Sequence, residues 1–347
     1  MQADDYYSPL KIFHHREWLD KLRAGVDPPP IFVQLVPTNR CNQDCHFCAY
    51  RMSGYSSNER FQERDQLDWD KLKEIVQDCK DMGVKAIELT GGGEPLVHKN
   101  FLDLCKLILD SGIDLGLVTN GSVWSDRHTE ILSKALWVRF SVDAGSLDTY
   151  ANMRGSTRAT YLRVRDAISS IPKDGPVVGV GFVINHENYK EIEEAADAAF
   201  ADGADNIRFS AVFQNEGTKY FDRFIAEATA SCNRVVEKYR STRMKVFNLF
   251  LDRIGDLGHG PPDYTFCGFQ QASTYIGADS NIYRCCVLAY SQRGMLGCIL
   301  VRRFADVWKS LDFSTFDAHG CPRCMFNAKN RTIAYALNPN PAHVNFP

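Results

Sequence analysis

The sequence predicts an α/β fold: a parallel sheet with helices on its outside, wound as an open or closed barrel. Three observations lead there. From residue 31 to about 212, short apolar runs alternate with amphipathic stretches, as in repeated strand–helix units. A Gly/Pro-rich break, GDLGHGPPDY, then interrupts the pattern. Beyond it lies a tail rich in cysteine, so a second, smaller domain is expected there.

Taken in order, DPPP (27–30) separates a short N-terminal helix from the barrel. IFVQLV (31–36) reads as a buried first strand. AIELT (86–90), LGLVTN (115–120), VRFSVD (138–143), VVGVGFVI (177–184) and IRFSAVF (207–213) read as five more. DWDKLKEIVQDCKDM (68–82), NFLDLCKLILDSG, DRHTEILSKAL, TYLRVRDAISSI and NYKEIEEAADAAFADG supply the helices between them. A helical stretch runs from 213 to about 245. The domain boundary is placed between 245 and 262, giving an extension (1–30), a core (31–245) and a C-terminal domain (246–347). In folds of this kind ligands bind at the C-terminal edges of the strands.

A chain of 347 residues with 44% apolar content can bury a sizeable core. Its net charge of −3 gives no bulk sign of nucleic-acid binding. No apolar signal segment or membrane-length run is visible, so a soluble, cytoplasmic protein is expected. Twelve cysteines are many for a reducing compartment, where they serve as core residues, metal ligands or catalytic thiols. Cys79, Cys105 and Cys232 stand alone in helical stretches and read as core. The rest fall in two clusters, 41–48 and 267–324.

CNQDCHFC (41–48) follows the first strand directly. Three thiolates on one loop suit a soft metal or an iron–sulfur cluster. Zinc would need a fourth ligand. His46 sits between two of the cysteines, where the loop cannot easily turn all three inward, and is read as a non-ligand. A four-iron cluster held by Cys41, Cys45 and Cys48 leaves one iron open to an exogenous ligand.

Cys41-x3-Cys45-x-Phe47-Cys48 resembles the signature of the radical S-adenosylmethionine (radical SAM) superfamily. The resemblance implies a partial (β/α)6 TIM-like barrel and a 4Fe-4S cluster whose open iron chelates the amino and carboxylate groups of S-adenosylmethionine (SAM). In that family SAM is cleaved to methionine and a 5′-deoxyadenosyl radical. TGGGEP (90–95) resembles the family's SAM-binding turn, where Gly91, Gly92 and Gly93 let the backbone approach the ligand. Backbone or Glu94 acceptors would then take the SAM ammonium. TNG (119–121) ends strand three. SVDAG (141–145) implies a SAM hydrogen bond from Ser141. Arg154, in MRG, is the candidate for the SAM carboxylate, a solvated helix arginine being the plain alternative. Val183 or Ile184, in VGFVINHEN, would contact adenine.

The second constellation is CGFQQASTYIGADSNIYRCC (267–286) with GCPRC (320–324). Cys267 and Cys285 flank an expected hairpin, and Cys321 and Cys324 lie on a chelating turn. Spacing alone allows zinc or a four-iron cluster. The region resembles the SPASM auxiliary-cluster domain or its shortened twitch form, through ADSNIYRC and LGCILVRRFADVWKS with Trp308. Ser280 and Arg284 stand where that pattern has glycine and proline. No cysteine follows Cys324, so the resemblance implies a second, fully ligated 4Fe-4S auxiliary cluster held by Cys267, Cys285, Cys321 and Cys324. The expected domain is a small β-hairpin-plus-helix unit. Cys286 is read first as core, with a ligand role or a catalytic role as hydrogen-atom donor left open. Cys298 is read as packing.

These readings imply a radical SAM oxidoreductase acting on a small-molecule substrate of sugar, cyclitol or nucleoside type. Dehydrogenation, with the auxiliary cluster as electron acceptor, comes first. Epimerisation or decarboxylation, and peptide modification as a RiPP maturase, are the alternatives. The short stretch before the barrel counts against a leader-binding domain. An iron–sulfur electron carrier or a zinc-stabilised binding protein is the non-enzyme alternative. The resemblance also implies a flavodoxin- or ferredoxin-type reductant, and nothing points to a membrane. The loop AYRMSGYSSNERF (49–61) is expected over the barrel mouth, bringing Tyr50, Arg51, Tyr55 and Glu59 near substrate.

Overall fold

The computed structural model describes residues 6–52, 59–214 and 216–342, so the expectation for Tyr55 lies outside the described residues. Ten strands are present: β1 (Phe32–Leu35), β2 (Ala86–Leu89), β3 (Asp114–Thr119), β4 (Trp137–Ser141), β5 (Val177–Ile184), β6 (Asn206–Ala211), β7 (Lys245–Leu249), β8 (Ser273–Ile276), β9 (Asn281–Tyr283) and β10 (Met295–Cys298). The helices are α1 (Arg16–Arg23), α2 (Trp69–Met82), α3 (Phe101–Asp110), α4 (Asp126–Leu132), α5 (Leu147–Met153), α6 (Arg158–Ser170), α7 (Ile192–Ala201), α8 (Ile225–Tyr239), α9 (Phe250–Gly258), α10 (Phe269–Ala272), α11 (Phe304–Lys309) and α12 (Asn327–Leu337).

All strands join one ten-stranded sheet, in the order β10-β9-β8-β1-β2-β3-β4-β5-β6-β7. Pairing is parallel from β8 through β7 and antiparallel within β8–β9–β10. The six expected strands are all there, with the hairpin expected beyond them. A seventh, β7, falls on the proposed domain boundary, where a helix had been expected to end. Moreover β8 pairs with β1, so the C-terminal region extends the barrel sheet instead of forming a separate sheet.

Strand burial alternates, which positions the site. Val33, Leu35, Ile87, Leu89, Val138 and Phe140 are fully buried under the helices. Their neighbours Gln34, Glu88, Arg139 and Ser141 are partly exposed on the other face, because successive side chains point to opposite faces. The barrel interior is therefore polar. Helix ends are fixed locally: Asp68 caps α2 by accepting from Lys71 N at 2.8 Å, and Gly83 closes it at φ 78°. Trp18 and Trp308 donate to the Pro29 and Pro28 carbonyls, at 3.0 and 3.1 Å, and so clamp the DPPP segment from both sides. Cys79, Cys105 and Cys232 are fully buried. Cys298 departs from its packing assignment: it ends β10, at the sheet edge, and is exposed.

Candidate active site

A cavity of about 380 Å³ opens at the C-terminal ends of the barrel strands. Cys41, Cys45, Cys48, Gly91, Gly92, Gly93, Glu94, Ser141 and Arg154 all line it, as does Val183. Ile184 does not; it is buried in the core. The Ser141 main chain pairs with β5, but its hydroxyl has no hydrogen-bond partner among the described residues, which leaves it for a ligand. His46 faces away, with Nε2 2.6 Å from Glu187 Oε1. Tyr50 and Arg51 also line the cavity, whereas Glu59 accepts from Gln292 N at 3.4 Å outside it.

The cysteine loop is held by residues its motif does not reveal. Gln43 donates to Tyr150 Oη at 2.8 Å and accepts from Arg154 Nη1 at 3.0 Å. Asn42 donates to Ser122 Oγ at 2.8 Å and accepts from Asn120 Nδ2 at 3.0 Å. Arg154 is buried, at 5% exposure. It ion-pairs with Asp143, reaches Val142 O at 3.3 Å, and donates to Cys45 Sγ at 3.7 Å. Burial opposes its charge, but Asp143 and Cys45 outweigh burial and raise its pKa. Expected at a SAM carboxylate, Arg154 here spends its donors on the cysteine loop and Asp143.

Glu94 is also engaged within the protein. Its carboxylate accepts from Thr119 Oγ1 (2.6 Å), Asn120 N (2.6 Å) and Leu96 N (3.1 Å). Two of these donors share Oε1 and one takes Oε2, so Oε2 keeps a lone pair beside the backbone carbonyls of the turn for an incoming ammonium. The glycines answer to packing as well as to ligand approach. A Cβ on Gly93 would stand 2.2 Å from Arg40 O, and one on Gly92 2.3 Å from the Phe61 ring.

The donor set fits a cluster. Burial pushes the Cys45 thiol up to about 11 against the pull of Arg154, and Asp143, Cys48 and Cys41 add to the rise. Burial raises the Cys41 thiol as well, and bound cationic iron relieves that cost by stabilising the thiolate. Among the described residues no three Cys, His, Asp or Glu side chains converge on a single metal ion. They ring a cavity instead, as ligands of separate irons do.

Cys267, Cys285, Cys321 and Cys324 line a second, apolar cavity with Phe269, Phe316 and Phe326. Burial again raises the Cys267, Cys285 and Cys321 thiols, Cys267 to about 11. Tyr264 Oη and Phe326 N donate to Cys324 Sγ, both at 3.3 Å. Arg284 lines this cavity, and its buried Nε has no acceptor. Four thiolates with an unpaired guanidinium N–H beside them fit an anionic four-iron cluster. Cys286 is separate: it packs at partial exposure against the cluster of Val36, Tyr275 and Tyr283. Met325, next to Cys324, lines both cavities.

Fold and site together describe a barrel protein that presents three cysteines and a glycine turn to one cavity at its strand ends. Residues 35–199 match the family described as the Radical SAM superfamily. It is 29% identical over 175 residues to the tungsten-containing aldehyde ferredoxin oxidoreductase cofactor-modifying protein of Pyrococcus furiosus, covering 48% of this chain and 47% of that one. The chain thus spans about half the length of that relative. Over 313 residues it is 23% identical to the Fe-coproporphyrin III synthase of Methanosarcina barkeri, covering 84% of this chain and 76% of that protein. In fold it is similar to Streptococcus suis SuiB bound to S-adenosylmethionine, with TM-score 0.63 and 15% identity over 90% of this chain and 74% of that one. No helix among the described residues is long and apolar enough to cross a membrane.

Proposed function

We propose that the protein cleaves SAM reductively and takes a hydrogen atom from a small-molecule substrate in the barrel lumen. One observation carries this reading: the three thiols, the glycine turn and the free Ser141 hydroxyl share one cavity. When bound, the cluster supplies the electron that splits SAM into methionine and a 5′-deoxyadenosyl radical. Cys41, Cys45 and Cys48 would each hold one iron. Gln43 and Arg154 keep Cys45 aimed inward, Glu94 braces the glycine turn on Asn120, and Ser141 offers a hydrogen bond to SAM.

Dehydrogenation is the preferred outcome. The substrate carbon gives a hydrogen atom to the radical; the substrate radical then gives one proton to solvent water and one electron to an acceptor. Cys267, Cys285, Cys321 and Cys324 would hold the auxiliary cluster, which would supply the acceptor for that electron. The shared Met325 wall supports this, since a single side chain borders both cavities. The test is anaerobic reduction of the reconstituted protein with SAM, followed by chromatography for 5′-deoxyadenosine. Wild type is expected to form it and a Cys48→Ala variant not; equal yields from both would defeat the proposal.

A further inference from the structure

Strands β4 and β6 share a short pattern, Val138-Arg139-Phe140-Ser141 and Ile207-Arg208-Phe209-Ser210. In each, the apolar residues are fully buried while arginine and serine line the site cavity. Arg139 lies opposite Gly179, and Arg208 opposite Gly181, on the intervening β5. No β5 side chain separates them at these positions.

Neither arginine side chain has an ion pair or hydrogen bond among the described residues. Arg139 lies over the Trp137 ring, 5.7 Å from its centroid, and Arg208 over Tyr7 at 5.6 Å. Arg208 Nε is buried with no acceptor. The acid that acts on it, Glu88, accepts from Gln34 Nε2 at 3.1 Å. Arg253, also close, is paired with Asp256 at 2.8 Å. Burial and the charge of Arg139 lower Arg208 to about 10. Two guanidinium groups facing one cavity with no carboxylate in direct contact are costly until an anion arrives, and each is shaped to grip an oxyanion.

We propose that Arg139 and Arg208 bind an anionic group of the substrate, a carboxylate or phosphate, in the lumen beneath the cysteine loop. Each precedes its lumen-facing serine by two residues, so the pair lies about 6.7 Å deeper along the strands than Ser141 and Ser210. SAM is expected at the strand ends, so the deeper pair serves the other reactant. Holding the substrate by its anion fixes which carbon faces the radical. Calling this anion substrate rests on the proposed function; the anion site itself does not.

The test uses the anaerobically reconstituted protein saturated with SAM. Thermal unfolding is followed against inorganic phosphate, and separately against acetate, at constant ionic strength. Wild type, the Arg139→Gln/Arg208→Gln double variant and Arg208→Lys are compared, with SAM affinity measured on each. At least one anion is expected to raise the wild-type Tm and the double variant to lose that response. Arg208→Lys, which keeps the charge if the double variant folds poorly, is expected to retain part of it. SAM affinity is expected to stay within about threefold. An unchanged response in the double variant, or in wild type no response to either anion, overturns the proposal. So does a SAM affinity that falls about tenfold or more, which would assign the pair to the SAM carboxylate. Wild type that binds the anion but makes no 5′-deoxyadenosine defeats only the radical reading.

Discussion

Asp143 sits in the left-handed region at φ 60°, a conformation few residues other than glycine adopt. Its Oδ1 accepts from Val183 N at 2.7 Å, its Oδ2 pairs with Arg154, and its carbonyl accepts from Asn188 Nδ2 at 2.8 Å. One side chain thus ties β4 and β5 to the arginine that steadies the cysteine loop. Asp143→Ala leaves the buried Arg154 charge unpaired and is expected to cost about 3–5 kcal/mol in urea unfolding. A loss below about 1 kcal/mol would show that the pair is not needed. Glu94 offers a pH test. Burial raises its carboxyl above the ordinary 4.5, so the native state holds that proton more tightly than the unfolded chain. Its contribution therefore falls as pH climbs from the ordinary value through the raised one. In the apoprotein, Glu94→Gln is expected to flatten that part of the stability profile, and an unchanged slope would contradict the assignment. The two cysteine sets were legible because ligand chemistry dictates both residue type and spacing. The duties of Arg154 and Glu94 were not, because their partners Gln43 and Thr119 lie far away in sequence.

Elements explain the glycine turn. It was legible as a ligand-approach motif, yet the closest neighbour of Gly93 is the backbone at Arg40, which leads into the cysteine loop. Gly93→Ala is therefore expected to displace that loop and lower iron retention, read as iron per chain after anaerobic desalting. Full retention would show that the turn can shift at no cost. Strand β7 was missed for a physical reason: Lys245–Leu249 is partly exposed throughout, without a clear two-residue alternation, and runs straight into α9. The Arg-Phe-Ser repeat on β4 and β6 was present in the sequence. It was read as plain strand, because only the register across β5 shows that both arginines enter one lumen.

At the scale of the molecule, the C-terminal region completes the barrel sheet. Ile31 N donates to Ala272 O and Val36 N to Ile276 O, each at 2.9 Å, so β8 covers the edge of β1. A chain ending at residue 262 would leave β1 as an exposed edge strand and is expected to aggregate, as size-exclusion chromatography would report. A monodisperse, folded truncation would show that the first domain stands alone. The sequence located the tail's cysteines but hid this dependence, since β8 and β1 are more than two hundred residues apart. The central claim is that two separate cysteine sets hold two clusters and that only the first supports SAM cleavage. The most direct measurement counts iron and sulfide, and assays 5′-deoxyadenosine, in three reconstituted proteins: wild type, Cys41→Ala/Cys45→Ala/Cys48→Ala, and Cys267→Ala/Cys285→Ala/Cys321→Ala/Cys324→Ala. Two four-iron clusters are expected in wild type and one in each variant, with deoxyadenosine lost only in the first. Loss of both clusters in either variant, or deoxyadenosine from the first, would contradict it.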